Sequence, residues 1–276
     1  MYESHWKLTG KPFENGITDE FYYPAETHQA ALLKLRYAIE NRRAAAMLCG
    51  PSGMGKSLLV QTLKKQLGEI FQPFTQVVFP AMNAEQLVRY LVDRTTGVSE
   101  EGCRQSSRDI LRFENFIEEN SKAKRHAILV IDESQLLEQF ELLETLRLLL
   151  NVGANAHGNE SAWTLILVGQ PLLLAQVERF HALDERLAVK CMLNRFLLEE
   201  TTAYIQHRVR QVGADAEDIF EFTALERIHQ LTQGIPRRIN RLCDLALMVA
   251  YAEERDRITV AVVESVHADL AAPSLV

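Results

Sequence analysis

The chain has 276 residues, 47% of them hydrophobic, and a formal net charge of -7. That is enough apolar material for a substantial core in one large domain, or in one domain with a smaller companion. The acidic balance excludes wholesale coating of nucleic acid by a basic field, though not a local basic patch.

Residues 1–11 are aromatic and polar and carry no apolar signal core, and no stretch reaches the ~20 apolar residues of a membrane helix. A cytosolic chain is therefore expected, at a membrane only through a partner. Ala44 to Cys49 is a short apolar run, a strand feeding the glycine-rich segment 50–57. Residues 56–67 follow as a helix, with Leu58, Leu59, Leu63 and Leu67 near helical spacing. Residues 76–79 form a short β-branched run, and 84–95 and 108–121 are helical. The five apolar residues 127–131 have the continuous pattern of a strand buried on both faces of a parallel sheet. A long helix is expected over 135–150, a second buried strand over 163–168 and a last strand over 189–193. Alternation of this kind predicts βα units and a mostly parallel, three-layered α/β sheet. Beyond Phe196 the pattern turns purely helical, with helices over 199–212, 222–233, 236–254 and 259–270. The expected division is 1–196 for the α/β domain and 197–276 for a helical one. The cysteines Cys49, Cys103, Cys191 and Cys243 are scattered, with no CxxC pair, and read as buried or free thiols.

Gly50, Pro51, Ser52, Gly53, Met54, Gly55, Lys56 and Ser57 fit G-x-x-x-x-G-K-[ST] between a predicted strand and a predicted helix. Glycines let successive N–H groups turn toward phosphates, and the helix N-terminus adds positive dipole. Lys56 can reach the β- and γ-phosphates, and the Ser57 hydroxyl can ligate Mg²⁺. These eight residues, with Leu58 after them, are the expected ATP-binding set. The 127–131 strand ends in Asp132 and Glu133. Asp132 suits the Mg²⁺ shell, and Glu133 suits the general base that polarises water. Gln170 follows the 163–168 strand and reads two ways: a polar group at the carboxyl end of the sheet that orients water, or part of an ordinary turn with Pro171 at a helix start. An arginine facing the transferred phosphoryl group is also expected. Arg179, Arg186, Arg195, Arg237, Arg238 and Arg241 are candidates that the residues alone do not separate.

Taken together these blocks resemble the AAA+ ATPases of the ExeA/GspA family, tied to bacterial general secretion and pilus-type assembly. The resemblance covers nearly the whole chain. Pro12-Phe13 and Phe21-Tyr22-Tyr23-Pro24 are similar to that family's opening segment, which packs near the adenine. Leu165 to Pro171 resembles its sensor-1 strand, which favours the water-orienting role for Gln170. Glu185-Arg186-Leu187 resembles the step that carries an arginine finger, so Arg186 is expected to act on a neighbouring subunit's ATP. Gly234-Ile235-Pro236-Arg237 resembles the sensor-2 helix, whose Arg237 would reach the γ-phosphate from the lid.

The resemblance implies a P-loop NTPase with a C-terminal all-α lid, an ATP-dependent homo-oligomer that hydrolyses ATP with Mg²⁺. It implies a protein partner in a secretion or pilus assembly system at the inner membrane. Members of the family often continue into a membrane helix and a peptidoglycan-binding region. These 276 residues contain neither, so a direct cell-wall role is not expected of this polypeptide. Transposition ATPases of the MuB, TniB and TnsC kind share the core and bind DNA. The basic stretch Lys122, Lys124, Arg125 and His126 keeps a DNA-binding ATPase that recruits a transposase open as a second reading. A nucleotide-gated adaptor without turnover is a third, which the Asp132-Glu133 pair disfavours.

Overall fold

A computed structural model of the chain describes residues 1–14, 21–78, 82–97, 106–140, 142–153 and 160–271. Cys103 and Phe79 lie outside them. The chain divides into two compact units that are not consecutive in sequence. One comprises Thr27–Pro51 and Leu59–Leu193, the other Met1–Glu26, Ser52–Leu58 and Asn194–Val276.

The first unit is built on β1 (Ala45–Cys49), β2 (Phe74–Val77), β3 (Ala127–Ile131), β4 (Trp163–Gly169) and β5 (Leu187–Met192). They form one sheet in the order β2-β3-β4-β1-β5, and every pairing is parallel. The position of each strand follows from its composition. Every residue of β1, β3 and β4 is buried, as continuous apolar runs require of central strands covered on both faces. β2 alternates partly open and buried residues, β5 alternates partly open and exposed ones before the buried Cys191, and both take the edges.

The helices that lie wholly or mostly in this unit are α1 (Glu26–Glu40), α2 (Lys56–Gln66), α3 (Ala84–Thr96), α4 (Ser106–Lys122), α5 (Leu142–Leu149), α6 (Leu172–Arg179) and α7 (His181–Asp184). Local chemistry sets their ends. Asn83 and Gln86 close a reciprocal capping box on α3, and Gly97 ends it in the left-handed conformation. Ala45, Met47, Leu129, Ile131, Leu165 and Leu167 join residues of α3, α4 and α5 in one hydrophobic cluster. Within it the ring edge of Trp163 meets Phe113 at 5.4 Å.

One predicted element is corrected. The expected helix over 135–150 is instead a 3₁₀ helix, Ser134–Phe140, followed by α5. Gln176 on α6 ties this segment down, its Nε2 donating to the Gln135 carbonyl at 3.0 Å. α6 begins directly after Pro171, the helix start that the turn reading of Gln170 allowed, whereas α1 and α7 have no counterpart among the predicted elements.

The second unit holds α8 (Leu198–Arg210), α9 (Ala216–Ile219), α10 (Phe222–Thr232), α11 (Pro236–Ala252) and α12 (Val260–Ala271). The N-terminal segment clusters with them. Trp6 Nε1 donates to the Leu247 carbonyl at 3.2 Å, and the Tyr2 hydroxyl donates to the Asp244 carboxylate. Arg208, 3% exposed, donates to the Pro12 carbonyl at 2.5 Å and the Glu14 carbonyl at 2.7 Å. Its guanidinium lies 4.0 Å from the centre of the Phe21 ring. A buried guanidinium needs acceptors, and the N-terminal segment supplies them. Among the described residues no helix is long and apolar enough to cross a membrane. Cys49, Cys191 and Cys243 are buried free thiols, and burial pushes Cys191 up to about 11.

Leu165 on the central strand is fully buried, whereas Leu148 on α5 is 52% exposed. Leu165→Ala is expected to lower the unfolding free energy by about 2–5 kcal/mol, and Leu148→Ala by no more than about 0.5 kcal/mol. Denaturant titration of the two variants measures the contrast.

Candidate functional site

Parallel pairing delivers three segments to one edge of the sheet. Cys49 pairs with Gly169, and Ile131 pairs with Leu167. Gly50 and Pro51, Asp132 and Glu133, and Gln170 therefore leave β1, β3 and β4 at the same carboxyl edge. β4 lies between the other two. The chain first runs outward from β1 to β2 and then returns past β1 to β5, so the edge contains the reversal of strand order where α/β sheets bind ligands. The Gly50 N–H donates to the Gly169 carbonyl at 3.2 Å, and the Leu193 N–H donates to the Cys49 carbonyl at 2.8 Å. These bonds fix the root of the glycine loop.

The acid pair is held tightly. The Asp132 N–H extends the ladder to the Val77 carbonyl at 2.8 Å, and Asp132 is 6% exposed. Asp132 Oδ1 accepts the Glu133 N–H at 2.9 Å. Glu133 has φ +51°, a left-handed conformation uncommon outside glycine and frequent at functional sites. Its Oε2 accepts a 2.5 Å hydrogen bond from Gln135 Nε2, and Gln135 Oε1 accepts the Gln170 N–H at 3.0 Å. Glu133 and Gln170 are thus joined through Gln135, a residue that the sequence pattern leaves unmarked inside an expected helix.

Arg186 is not brought to these residues. It directly precedes β5, whose Leu187 pairs with Ala45 at the start of β1. That is the amino edge of the sheet, about 13 Å of strand away from the glycine loop at ~3.3 Å per residue. Arg186 Nη2 donates to Asn151 Oδ1 at 3.0 Å.

In the second unit, residues Ser52–Leu58 cluster with α11. Gly53 and Gly55 have φ +84° and +85°, and α2 opens at Lys56, so the loop turns with glycine at both left-handed positions. Lys56 is 8% exposed and Met54 is fully buried. Pro236 starts α11, and the next N–H, that of Arg237, donates to the Gly53 carbonyl at 3.2 Å. A Cβ on Gly53 would stand 2.9 Å from Arg237 Cβ and 3.1 Å from Ile235 Cγ2. Arg195 pairs with Gln233 at 2.6 Å and Arg179 with Glu138 at 2.9 Å, which gives both arginines partners within their own units.

The donors suit a magnesium nucleotide. A loop with two left-handed glycines opening into a helix presents N–H groups and positive dipole to an anion. Within the first unit, Asp132 offers a hard oxygen of the kind that Mg²⁺ takes beside substrate phosphates. Among the described residues no cluster of three or more His, Cys, Asp or Glu side chains could hold a metal without such a substrate.

The basic stretch near 122–126 is not a uniform cationic face. Lys122 pairs with Glu118 at 2.7 Å. His126 is fully buried, with Nε2 2.8 Å from Thr164 Oγ1. Lys124 and Arg125 are exposed.

Residues 39–177 match the family described as AAA domain. The chain is 27% identical over 261 residues to General secretion pathway protein A of Aeromonas hydrophila, covering 94% of this chain and 46% of that protein. It thus spans about half the length of that curated relative. Among solved structures, the Aeropyrum pernix ORC2 protein aligns with TM-score 0.69 and 18% identity, covering 94% of this chain and 71% of that one. The Thermotoga maritima RuvB Holliday junction branch migration motor aligns with TM-score 0.55 and 17% identity, covering 92% and 72%. At these identities the two structures speak for the fold.

Gly53→Ala combines a strained φ with the contact to Arg237 and is expected to lower the unfolding free energy by about 1–3 kcal/mol. Ser52→Ala, at an exposed neighbour, is expected to change it by less than about 0.5 kcal/mol. Chemical denaturation without nucleotide reads both.

Proposed function

The chain belongs to the AAA domain family, with that family's ATP-binding and ATP-hydrolysing role, and on that premise we propose an oligomerising, Mg²⁺-dependent assembly motor or switch of the general-secretion type. The observation that carries this reading is the shared carboxyl edge of β1, β3 and β4, where the glycine loop begins and Glu133 is joined to Gln170 through Gln135.

In this proposal Gly50, Pro51, Ser52, Gly53, Met54, Gly55, Lys56, Ser57 and Leu58 hold ATP. Lys56 neutralises the β- and γ-phosphates. Ser57 and Asp132 hold Mg²⁺, which when bound offsets phosphate charge. Glu133 takes the proton of the attacking water, Gln170 orients that water, and Arg237 reaches the γ-phosphate from a lid comprising 197–276. Arg186 serves the nucleotide of a neighbouring copy. Its place at the amino edge, away from its own Glu133, supports action in trans.

The secretion assignment rests on the Aeromonas hydrophila relative, and a partner at the inner membrane would take a chain with no membrane-crossing helix among its described residues to that surface. The transposase-recruiting alternative draws little from the 122–126 stretch, where one lysine is paired and the histidine is buried.

Glu133→Gln is expected to lower ATP turnover by about 100-fold or more while leaving nucleotide binding intact. Turnover at the wild-type rate would remove Glu133 as the base. Arg186→Ala subunits and Glu133→Gln subunits, each inactive alone, are expected to recover part of the activity when mixed. The mixture creates interfaces with an intact Glu133 facing an intact Arg186. A mixture with no recovery would rule out the finger in trans.

A further inference from the structure

We propose that Gln135 is a positioning residue for ATP hydrolysis, and that its side-chain amide sets the direction of the Glu133 carboxylate and ties it to the end of β4. The inference rests on the reading of Glu133 as the base and adds the group that aims it.

The hydrogen bonds around Gln135 admit one orientation. Its Oε1 faces the backbone N–H of Gln170, which can only donate. Its Nε2 faces Glu133 Oε2, an acceptor when ionised. Turning the amide over would set oxygen against carboxylate and NH₂ against N–H. Gln135 is 8% exposed, and its carbonyl is held by Gln176, so the side chain projects from a fixed point. A bond from an amide to a carboxylate is short and directional. Held through Oε2, the carboxylate has Oε1 lone pairs left to receive a proton from water.

Glu133 needs such a restraint. Its left-handed backbone is held by Asp132 at the N–H, but that bond does not fix the side-chain torsions. The neighbouring strand is shaped around the same amide. A Cβ at Gly169 would lie 2.8 Å from Gln135 Oε1 and 3.3 Å from the Gln135 nitrogen. The last residue of β4 is thus small where the amide passes. One side chain therefore registers the proposed base after β3 with the polar residue after β4.

The test uses the full chain under conditions where it hydrolyses ATP, with kcat, KM for ATP and thermal unfolding recorded together. Gln135→Glu is isosteric. It keeps an oxygen to accept the Gln170 N–H and replaces only the donor to Glu133, now with a second carboxylate. It is expected to lower kcat about tenfold or more with KM within about threefold. Gly169→Ala, which displaces the amide from the other side, is expected to do the same. A folded Gln135→Glu with wild-type kcat would overturn the inference, because the anchoring acceptor alone would then suffice. If that variant melts below the assay temperature, Gly169→Ala decides, and wild-type kcat there overturns it as well. Adding Gln135→Glu to Glu133→Gln is expected to cause no further loss, and a further loss would show that Gln135 acts elsewhere. The two readings fail separately. Full activity in Glu133→Gln removes the base, whereas an inactive Glu133→Gln beside a normal Gln135→Glu removes only the role of Gln135.

Discussion

Parallel pairing of β1, β3 and β4 is the constraint from which the rest of the first unit follows. Parallel strands cannot be joined by tight hairpins, so each connection must cross a face of the sheet, and helices cover both faces. The same rule sends every carboxyl end to one edge. Because β4 is inserted between β1 and β3, the residues that follow all three strands become neighbours without any being adjacent in sequence. Cys49 opposite Gly169 and Ile131 opposite Leu167 are the register that achieves this. A one-residue slip would reverse the facing of every side chain on a strand and separate the acids from the glycine loop.

The rule has a second consequence at the other edge. A residue that precedes a strand is kept away from residues that follow one. Arg186 sits before β5, and the sheet thereby separates it from Glu133 of its own chain. That separation is what the proposed action of Arg186 in trans draws on, since the distance between edges is set by strand length.

The central strands were legible because burial on both faces demands uninterrupted apolar residues, as in Ala127 to Ile131, and the glycine loop was legible because its backbone demands glycine at fixed places. The helices α8, α10, α11 and α12 after Phe196 were legible from their period, and the four-residue α9 was not. Gln135 was not, since a glutamine near the start of an apolar-periodic stretch looks the same whether its amide meets water or a carboxylate. The bond from Gln176 to the Gln135 carbonyl spans 41 residues, and no local pattern carries that. Arg208 resembles any arginine on a helix. Only the fold shows that the Pro12 and Glu14 carbonyls enclose it, so the N-terminal segment clusters with 194–276.

The hydrogen bond from the Arg237 N–H to the Gly53 carbonyl joins two backbones and involves no side chain. In a trans peptide the C=O and the N–H of one plane point in opposite directions. Directing the Gly53 oxygen at the first turn of α11 therefore directs the Met54 N–H the opposite way. The orientation of one loop donor is thereby tied to the first turn of the helix through backbone alone, a tie that a substituted side chain at position 237 would leave in place.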